Sequence, residues 1–192
     1  MNIGLFFGSF NPIHSAHIQV AEYILENTPI KQIWFVVSPQ NPFKIDLGLL
    51  DYKHRLKMVR LATKDNRSFK VSAVESKLPT PSYTINTLVF LKHQFPQHSF
   101  SLIMGSDIMT SFDKWKNYKR ILDEYTLYVY KRKGSVSKLK GENIIYLNSP
   151  VINISSTEIR KMIALHKRVK DYLPGAVNKY ITLKRLYQND TA

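Results

Sequence analysis

The sequence predicts a doubly wound α/β fold on a parallel sheet. Three observations carry that expectation: short runs apolar at every position, helical apolar spacing between them, and Gly or Pro where the runs end. A strand that is apolar throughout must be covered on both faces, and helical crossovers between parallel strands supply the cover. Right-handed crossovers then set ligands at the carboxyl ends of the strands.

The elements follow in order. Ile3 to Phe7 is the first apolar run, closed by Gly8. From Ile18 to Glu26 apolar residues fall at 18, 20, 21, 24 and 25, near the helical period, and Pro29 follows. Ile33 to Val37 is the second strand, broken by Ser38 and Pro39. Leu56, Val59, Leu61 and Ala62 mark a helix, and Phe69 to Val74 the third strand. Tyr83 to Phe95 is helical and stopped by Pro96, while Ser99 to Met104 is a strand ending at Gly105. Leu127 to Tyr130 and Ile144 to Leu147 complete the strands. From Ser155 onward the pattern is helical only: 155–166, a short piece near 171, then roughly 175–187. Lys131 to Gly141 is polar and basic and reads as an exposed loop. No internal repeat or low-complexity linker divides the chain. The expected organisation is one domain over 1–192, an α/β core at 1–153 and a helical C-terminal part at 154–192.

Composition narrows the function. With 192 residues, 44% apolar and 12% aromatic, the chain can bury a core and is not of the disordered class. It has no Cys, which excludes disulfide frameworks, cysteine zinc sites and thiol nucleophiles. No run reaches the ~18 apolar residues of a membrane span. The first basic residue is Lys31, so no positive segment opens a secretory signal. The expectation is a soluble, cytoplasmic protein with no membrane partner. Charge is less neutral: 28 basic and 14 acidic residues give +14. Residues 1–130 hold 15 and 10, and residues 131–192 hold 13 and 4. Such a surplus suits a polyanion, whether nucleic acid, a membrane surface or a phosphorylated small molecule, or it is simply a solvated face.

The first strand-to-helix turn runs from Gly8 through Ser9, Phe10, Asn11 and Pro12 to His14 and His17. It has neither the P-loop pattern nor the Gly-x-Gly-x-x-Gly of dinucleotide folds. Gly8 stands at a strand's carboxyl end, where backbone comes close to a neighbour. His14 and His17 share one helix face at a helix N-terminus, which already favours anions. Two imidazole donors there suit phosphate. Half a metal site, or two satisfied structural histidines, are the competing readings; no nearby carboxylate supplies a third ligand. The second constellation is Ile154 to Arg160. Ser155 as N-cap with Glu158 three residues on forms a capping box. That leaves Ser156, Thr157 and Arg160 on one side of a helix start, where hydroxyls, free N–H groups and a guanidinium form an oxyanion cradle. Ile154, Ile159 and Ile163 read as core.

Taken together, the turn from Gly8 to His17 and the Ile154-Ser155-Ser156-Thr157-x-x-Arg160 stretch resemble the nucleotidyltransferase superfamily with HxGH and ISSTxxR signatures. Further matches narrow the likeness to bacterial nicotinate-nucleotide adenylyltransferases. They are Ser38-Pro39, Pro42-x-Lys44, Pro81-Ser82-Tyr83-Thr84 with Thr87-Leu88, Gly105-x-Asp107, Trp115 and Tyr172-Leu173-Pro174. The resemblance implies a Rossmann-like nucleotidyltransferase fold. It also implies that ATP and nicotinate mononucleotide give deamido-NAD and pyrophosphate with Mg2+. The catalytic residues it implies are His14, His17 and Arg160. For ATP it implies Gly8, Ser9, Phe10, His14, His17, Gly105, Asp107, Ile154, Ser155, Ser156, Thr157 and Arg160. For the mononucleotide it implies Lys44, Tyr83, Thr84, Trp115, Lys116 and Arg132. No metal ligand in the chain is implied, and the oligomeric state stays open, a homo-oligomer included.

Several of these residues also have plain structural readings: Asp107 as a helix N-cap, Tyr83 and Trp115 as core, Arg132 as a solvated cation in a basic run. The chain departs from the family pattern at Ala16, where Gly is usual, and at Asn11 and Asn86, where Asp is usual. Phe43 stands where many relatives have His. Two same-fold alternatives take nicotinamide mononucleotide or pantetheine phosphate as acceptor, and Trp115 with the Pro-Ser-Tyr-Thr segment argues against the second. A basic nucleic-acid-binding protein is the alternative from another class. Neither a nucleic-acid motif nor a stacking platform supports it.

Overall fold

The computed structural model describes residues 1–39, 48–134, 139–149, 151 and 153–188. Among these residues six strands form one sheet: β1 (Asn2–Gly8), β2 (Gln32–Val37), β3 (Phe69–Ser72), β4 (Ser99–Gly105), β5 (Leu127–Tyr130) and β6 (Ile144–Tyr146). Their order is β3-β2-β1-β4-β5-β6 and every pairing is parallel. The helices are α1 (Ser15–Asn27), α2 (Tyr52–Thr63), α3 (Thr84–Gln94), α4 (Tyr118–Glu124), α5 (Ser156–Ala164) and α6 (Gly175–Lys184). Short 3-10 helices span Val74–Lys77 and Ile108–Lys114. This is the doubly wound parallel fold that the apolar runs predict.

Period-two alternation divides the core between the two faces. Ile3, Leu5, Val36, Leu102 and Val129 pack with Leu88 of α3, Phe112 of the second 3-10 helix and Ile121 of α4. Phe6, Phe35, Val37 and Tyr130 pack on the other side with Ile24 of α1, Met58 of α2, Ile159 of α5 and Ile181 of α6. The carboxyl-terminal helices therefore cover the same face as α1 and α2.

Local chemistry sets the helix starts. The Asp51 carboxylate accepts from the Lys53 N–H at 2.9 Å at the head of α2. At α5, Ser155 Oγ accepts from the Glu158 N–H at 3.2 Å, and the Glu158 carboxylate accepts from the Ser155 N–H at 2.7 Å. That is the capping box expected from the sequence.

Four elements differ from expectation. β3 stops at Ser72 because the chain coils into the 3-10 turn at Val74–Lys77. The piece near 171 is a turn, not a helix. α6 ends at Lys184, where Arg185 takes a left-handed φ of 49°. The stretch between β4 and β5 holds a 3-10 helix and α4, although α4 buries only Ile121 fully and so shows little apolar pattern. A parallel β4-to-β5 crossover nevertheless demands such cover.

In this strand order, connections leave β1 and β4 in opposite directions, so a crevice opens above their carboxyl ends. The turn after β1 is tightly braced there. Its Asn11–Pro12 peptide is cis, and Phe10 has a φ of 48°. Asn11 is buried; its amide donates to the Gly48 carbonyl at 3.0 Å, and its Oδ1 accepts from the Leu50 N–H at 3.3 Å and the Tyr187 hydroxyl at 2.9 Å. An amide fits this position because one partner is an acceptor and two are donors. Asn11→Asp turns a carboxylate oxygen toward the Gly48 carbonyl, and about 1–3 kcal/mol of stability is lost. Urea unfolding at pH 7 checks this, and an unchanged midpoint contradicts it.

Candidate active site

Both imidazoles stand at the start of α1. His14 is the N-cap, and its backbone N–H donates to His17 Nδ1 at 3.2 Å. The two ring centroids are 3.8 Å apart, so the pair converges as the spacing predicts. Because Nδ1 of His17 accepts, the ring proton of this tautomer sits on Nε2. Phe10 supports the ring edge-on, with centroids 5.3 Å apart. The positive φ of Phe10 folds it back beneath Gly8, where an added Cβ lies 2.9 Å from the Phe10 ring. Gly8 is thus required by this packing.

The start of α5 touches the same turn directly. Ser156 Oγ donates to the Pro12 carbonyl at 2.9 Å, and Arg160 Nη1 donates to the Asn11 carbonyl at 3.0 Å. A cleft of about 450 Å³ lies between the two stretches. Gly8, Ser9, Phe10, His14 and His17 line it from one side, and Ser155, Ser156, Thr157 and Arg160 from the other. Asp107, Trp115, Tyr130 and Arg132 complete the wall. The unpaired N–H groups at the α5 N-terminus add a partial positive charge there.

Asp107 and Arg132 form an ion pair at 3.6 Å on this wall. Asp107 does sit at the N-cap of the 3-10 helix, but its side chain makes no capping bond. A Cβ on Gly105 would collide with the Asp107 carboxylate and lie 2.7 Å from Arg132 Cδ, so Gly105 makes room for that pair. Ile154 packs against the core.

His14 is buried, and its pKa is lowered to about 3. Burial is the main cause, the Arg132 guanidinium adds to it, and the Glu158 carboxylate opposes both. The ring is therefore neutral at physiological pH and can donate or accept a hydrogen bond without carrying charge.

A smaller pocket of about 60 Å³ adjoins the cleft through Phe7, Gly8, Ile108 and Trp115, which line both. Tyr83, Thr84 and Lys116 line the pocket, with Ser38, Glu75 and Ser82. The Lys116 ammonium lies 4.7 Å from the centre of the Tyr83 ring. Trp115 is steadied by Phe112, ring centroids 5.1 Å apart. Glu75 is buried and accepts from the hydroxyls of Ser38 and Thr87. Burial pushes its carboxyl above the ordinary range, and those hydroxyls pull it back.

Most of the sequence-predicted residues line one of two adjoining sites, whereas Gly105 and Ile154 line neither. Arg132 lies on the cleft wall beside the α5 motif and does not line the small pocket. Lys44 lies outside the described residues. The sequence reading has Ser38 only as a motif match with no site role, and it did not find Glu75 or the bracing role of Asn11. Glu75 sits in a Glu-Ser-Lys stretch that reads as surface, so no pattern marks it. Among the described residues no three His, Cys, Asp or Glu gather as a metal site, and Asp107 is the carboxylate on the cleft wall. That donor set fits Mg2+ carried mainly by a triphosphate and water. No helix among the described residues is long and apolar enough to cross a membrane.

Comparisons with known proteins place the chain in a family. The cytidylyltransferase-like family model matches residues 5–162. A Flavobacterium psychrophilum protein named probable nicotinate-nucleotide adenylyltransferase is 44% identical over 98% of this chain and 100% of its own length. A Cytophaga hutchinsonii protein of the same name is 41% identical over 98% and 100%. Among solved structures, Plasmodium falciparum nicotinic acid mononucleotide adenylyltransferase complexed with NaAD superimposes with a TM-score of 0.83. It is 23% identical and covers 100% of this chain and 99% of its own, and so shares the fold.

The depressed His14 pKa has a consequence for stability. The unfolded chain takes up a proton near pH 6.5 that the folded ring refuses. The stabilisation is full above pH 6.5 and is lost as pH falls from there toward 3. Between pH 7 and 5 this group alone should cost about 2 kcal/mol. Urea midpoints of His14→Gln should fall correspondingly less over that interval, and parallel curves contradict a buried neutral imidazole.

Proposed function

The chain belongs to the cytidylyltransferase-like family and, within it, to the nicotinate-nucleotide adenylyltransferases, and on that premise we propose how its residues perform the transfer. The reaction moves the adenylyl group of ATP onto nicotinate mononucleotide, giving deamido-NAD and pyrophosphate. A phosphate oxygen of the mononucleotide attacks the α-phosphorus in line, one P–O bond forms, and the bond to the β-phosphate breaks. That phosphate is already ionised near pH 7, so no side chain has to remove a proton. Alignment and charge stabilisation are what the protein must provide.

One observation supports the residue assignment above the others. Ser156 and Arg160 bond directly to the turn that carries His14 and His17, around one cleft. His17 Nε2–H and the neutral His14 donate to the phosphate under attack. Thr157, Arg160 and the N–H groups at the α5 N-terminus, that of Ser156 among them, hold the β- and γ-phosphates as negative charge moves onto pyrophosphate. Gly8, Ser9 and Phe10 form the floor beneath the nucleotide, Asp107 faces its ribose, and Arg132 adds positive charge at the cleft wall. Asp107, the carboxylate on the cleft wall, would help to hold Mg2+ with the triphosphate, and the ion would supply further neutralisation of charge.

The pyridine ring enters the small pocket. Trp115 and Tyr83 offer it π-faces, while Lys116 and the start of α3 at Thr84 offer positive charge to its carboxylate. Because pocket and cleft share Gly8 and Trp115, the two substrates meet at one wall.

Incubation with ATP, Mg2+ and nicotinate mononucleotide should yield deamido-NAD by mass, and absence of that product overturns the reading. In steady-state kinetics His17→Ala should lower kcat by about 10²-fold or more with little loss of stability. Unchanged turnover removes His17 from the mechanism. Trp115→Ala should raise KM for the mononucleotide much more than KM for ATP, and the reverse order places the ring elsewhere.

A further inference from the structure

We propose that Arg55 is a positioning residue of the transfer, holding the phosphate cleft and the acceptor pocket in fixed relation from its seat between the ends of β1 and β2. The inference rests on the residue assignment above. Arg55 belongs to α2 and is 1% exposed, the largest fully buried side chain among the described residues. Its Nε donates to the Leu50 carbonyl at 2.8 Å and its Nη2 to the Pro39 carbonyl at 2.8 Å. Nη1 is shared between the carbonyls of Ser9, at 2.8 Å, and Ser38, at 2.7 Å. Among the described residues it forms no salt bridge; the Tyr52 ring centre lies 5.5 Å away, and Tyr187 and the Asp51 carboxylate act on it through space.

A buried guanidinium without a counter-ion is costly, and an apolar side chain of similar volume usually serves a core better. The planar fork does something an apolar side chain cannot: it ties carbonyls from three separate stretches of chain to one rigid group. Two of those carbonyls belong to the two substrate sites, because Ser9 lines the cleft and Ser38 lines the pocket. Ser38 is held at two further points. Its N–H donates to the Gly8 carbonyl at 3.0 Å, and its hydroxyl donates to Glu75. Glu75 in turn accepts from Thr87 in the first turn of α3, at 3.1 Å. A continuous polar path therefore runs from the turn beneath ATP to the helix that carries Thr84. In a transfer with no covalent enzyme intermediate, the relative placement of the two substrates sets the rate, and a shift of about 1 Å can cost about 10²-fold.

Arg55→Lys and Arg55→Met test this in the full chain. The lysine keeps the charge but cannot span the four carbonyls, and the methionine keeps much of the volume. We expect each substrate titrated alone, ATP or nicotinate mononucleotide, to bind within about threefold of the wild type. We expect kcat per folded molecule to fall by about tenfold or more in both variants. A kcat within twofold of the wild type overturns the proposal, as does loss of substrate binding in step with loss of kcat. Failure of both variants to fold, even with ATP present, also overturns it, because the fork's work is then structural. Wild-type turnover reports separately on the reaction itself, and the ratio of variant to wild type reports on Arg55.

Discussion

One contact underlies the site: the start of α5 donates two hydrogen bonds into the turn after β1. Ser156 and Arg160 reach carbonyls of Pro12 and Asn11 that lie 144 and 149 residues earlier in the chain. The buried carbonyls of this turn need partners, and those of Asn11 and Pro12 accept from Arg160 and Ser156. The donors that satisfy them come from the very helix whose N-terminus faces the cleft. Packing of α5 on the α1 face therefore brings the two stretches of the site together. Tyr187 reinforces this, since its hydroxyl reaches Asn11 from beyond α6.

Electrostatics then follow from burial. The cleft gathers Arg132, Arg160 and a helix N-terminus, and it keeps His14 neutral within that positive field. A neutral donor stabilises charge that builds on an oxygen and does not need a counter-ion in the resting protein. Asp107 partly balances Arg132. The surplus of +14 over the chain has a consistent meaning here, because both substrates and the released pyrophosphate are anions.

Much of this was legible in the residues, for identifiable reasons. Strands apolar throughout, as at Ile3 to Phe7 and Ile33 to Val37, announced a sheet covered on both faces, and all six expected strands were found. The capping box at Ser155 and Glu158 and the convergence of His14 and His17 follow from helical spacing alone. α4 was not legible, because a seven-residue helix with one fully buried side chain leaves no periodic trace. Arg55 and Glu75 were not legible either. A charged residue on a helix or in a turn reads as solvated unless its partners are known, and those of Arg55 are main-chain carbonyls, which no sequence pattern records. Asn11, which departs from the family's usual Asp, gains its meaning only from Gly48, Leu50 and Tyr187 around it.

The most direct test of the central claim is a crystal structure of the protein with a non-hydrolysable ATP analogue and Mg2+. The account predicts a single triphosphate touching His17 on one side and Ser156, Thr157 and Arg160 on the other. A nucleotide that contacts only one of these stretches, or that binds outside the cleft, contradicts it.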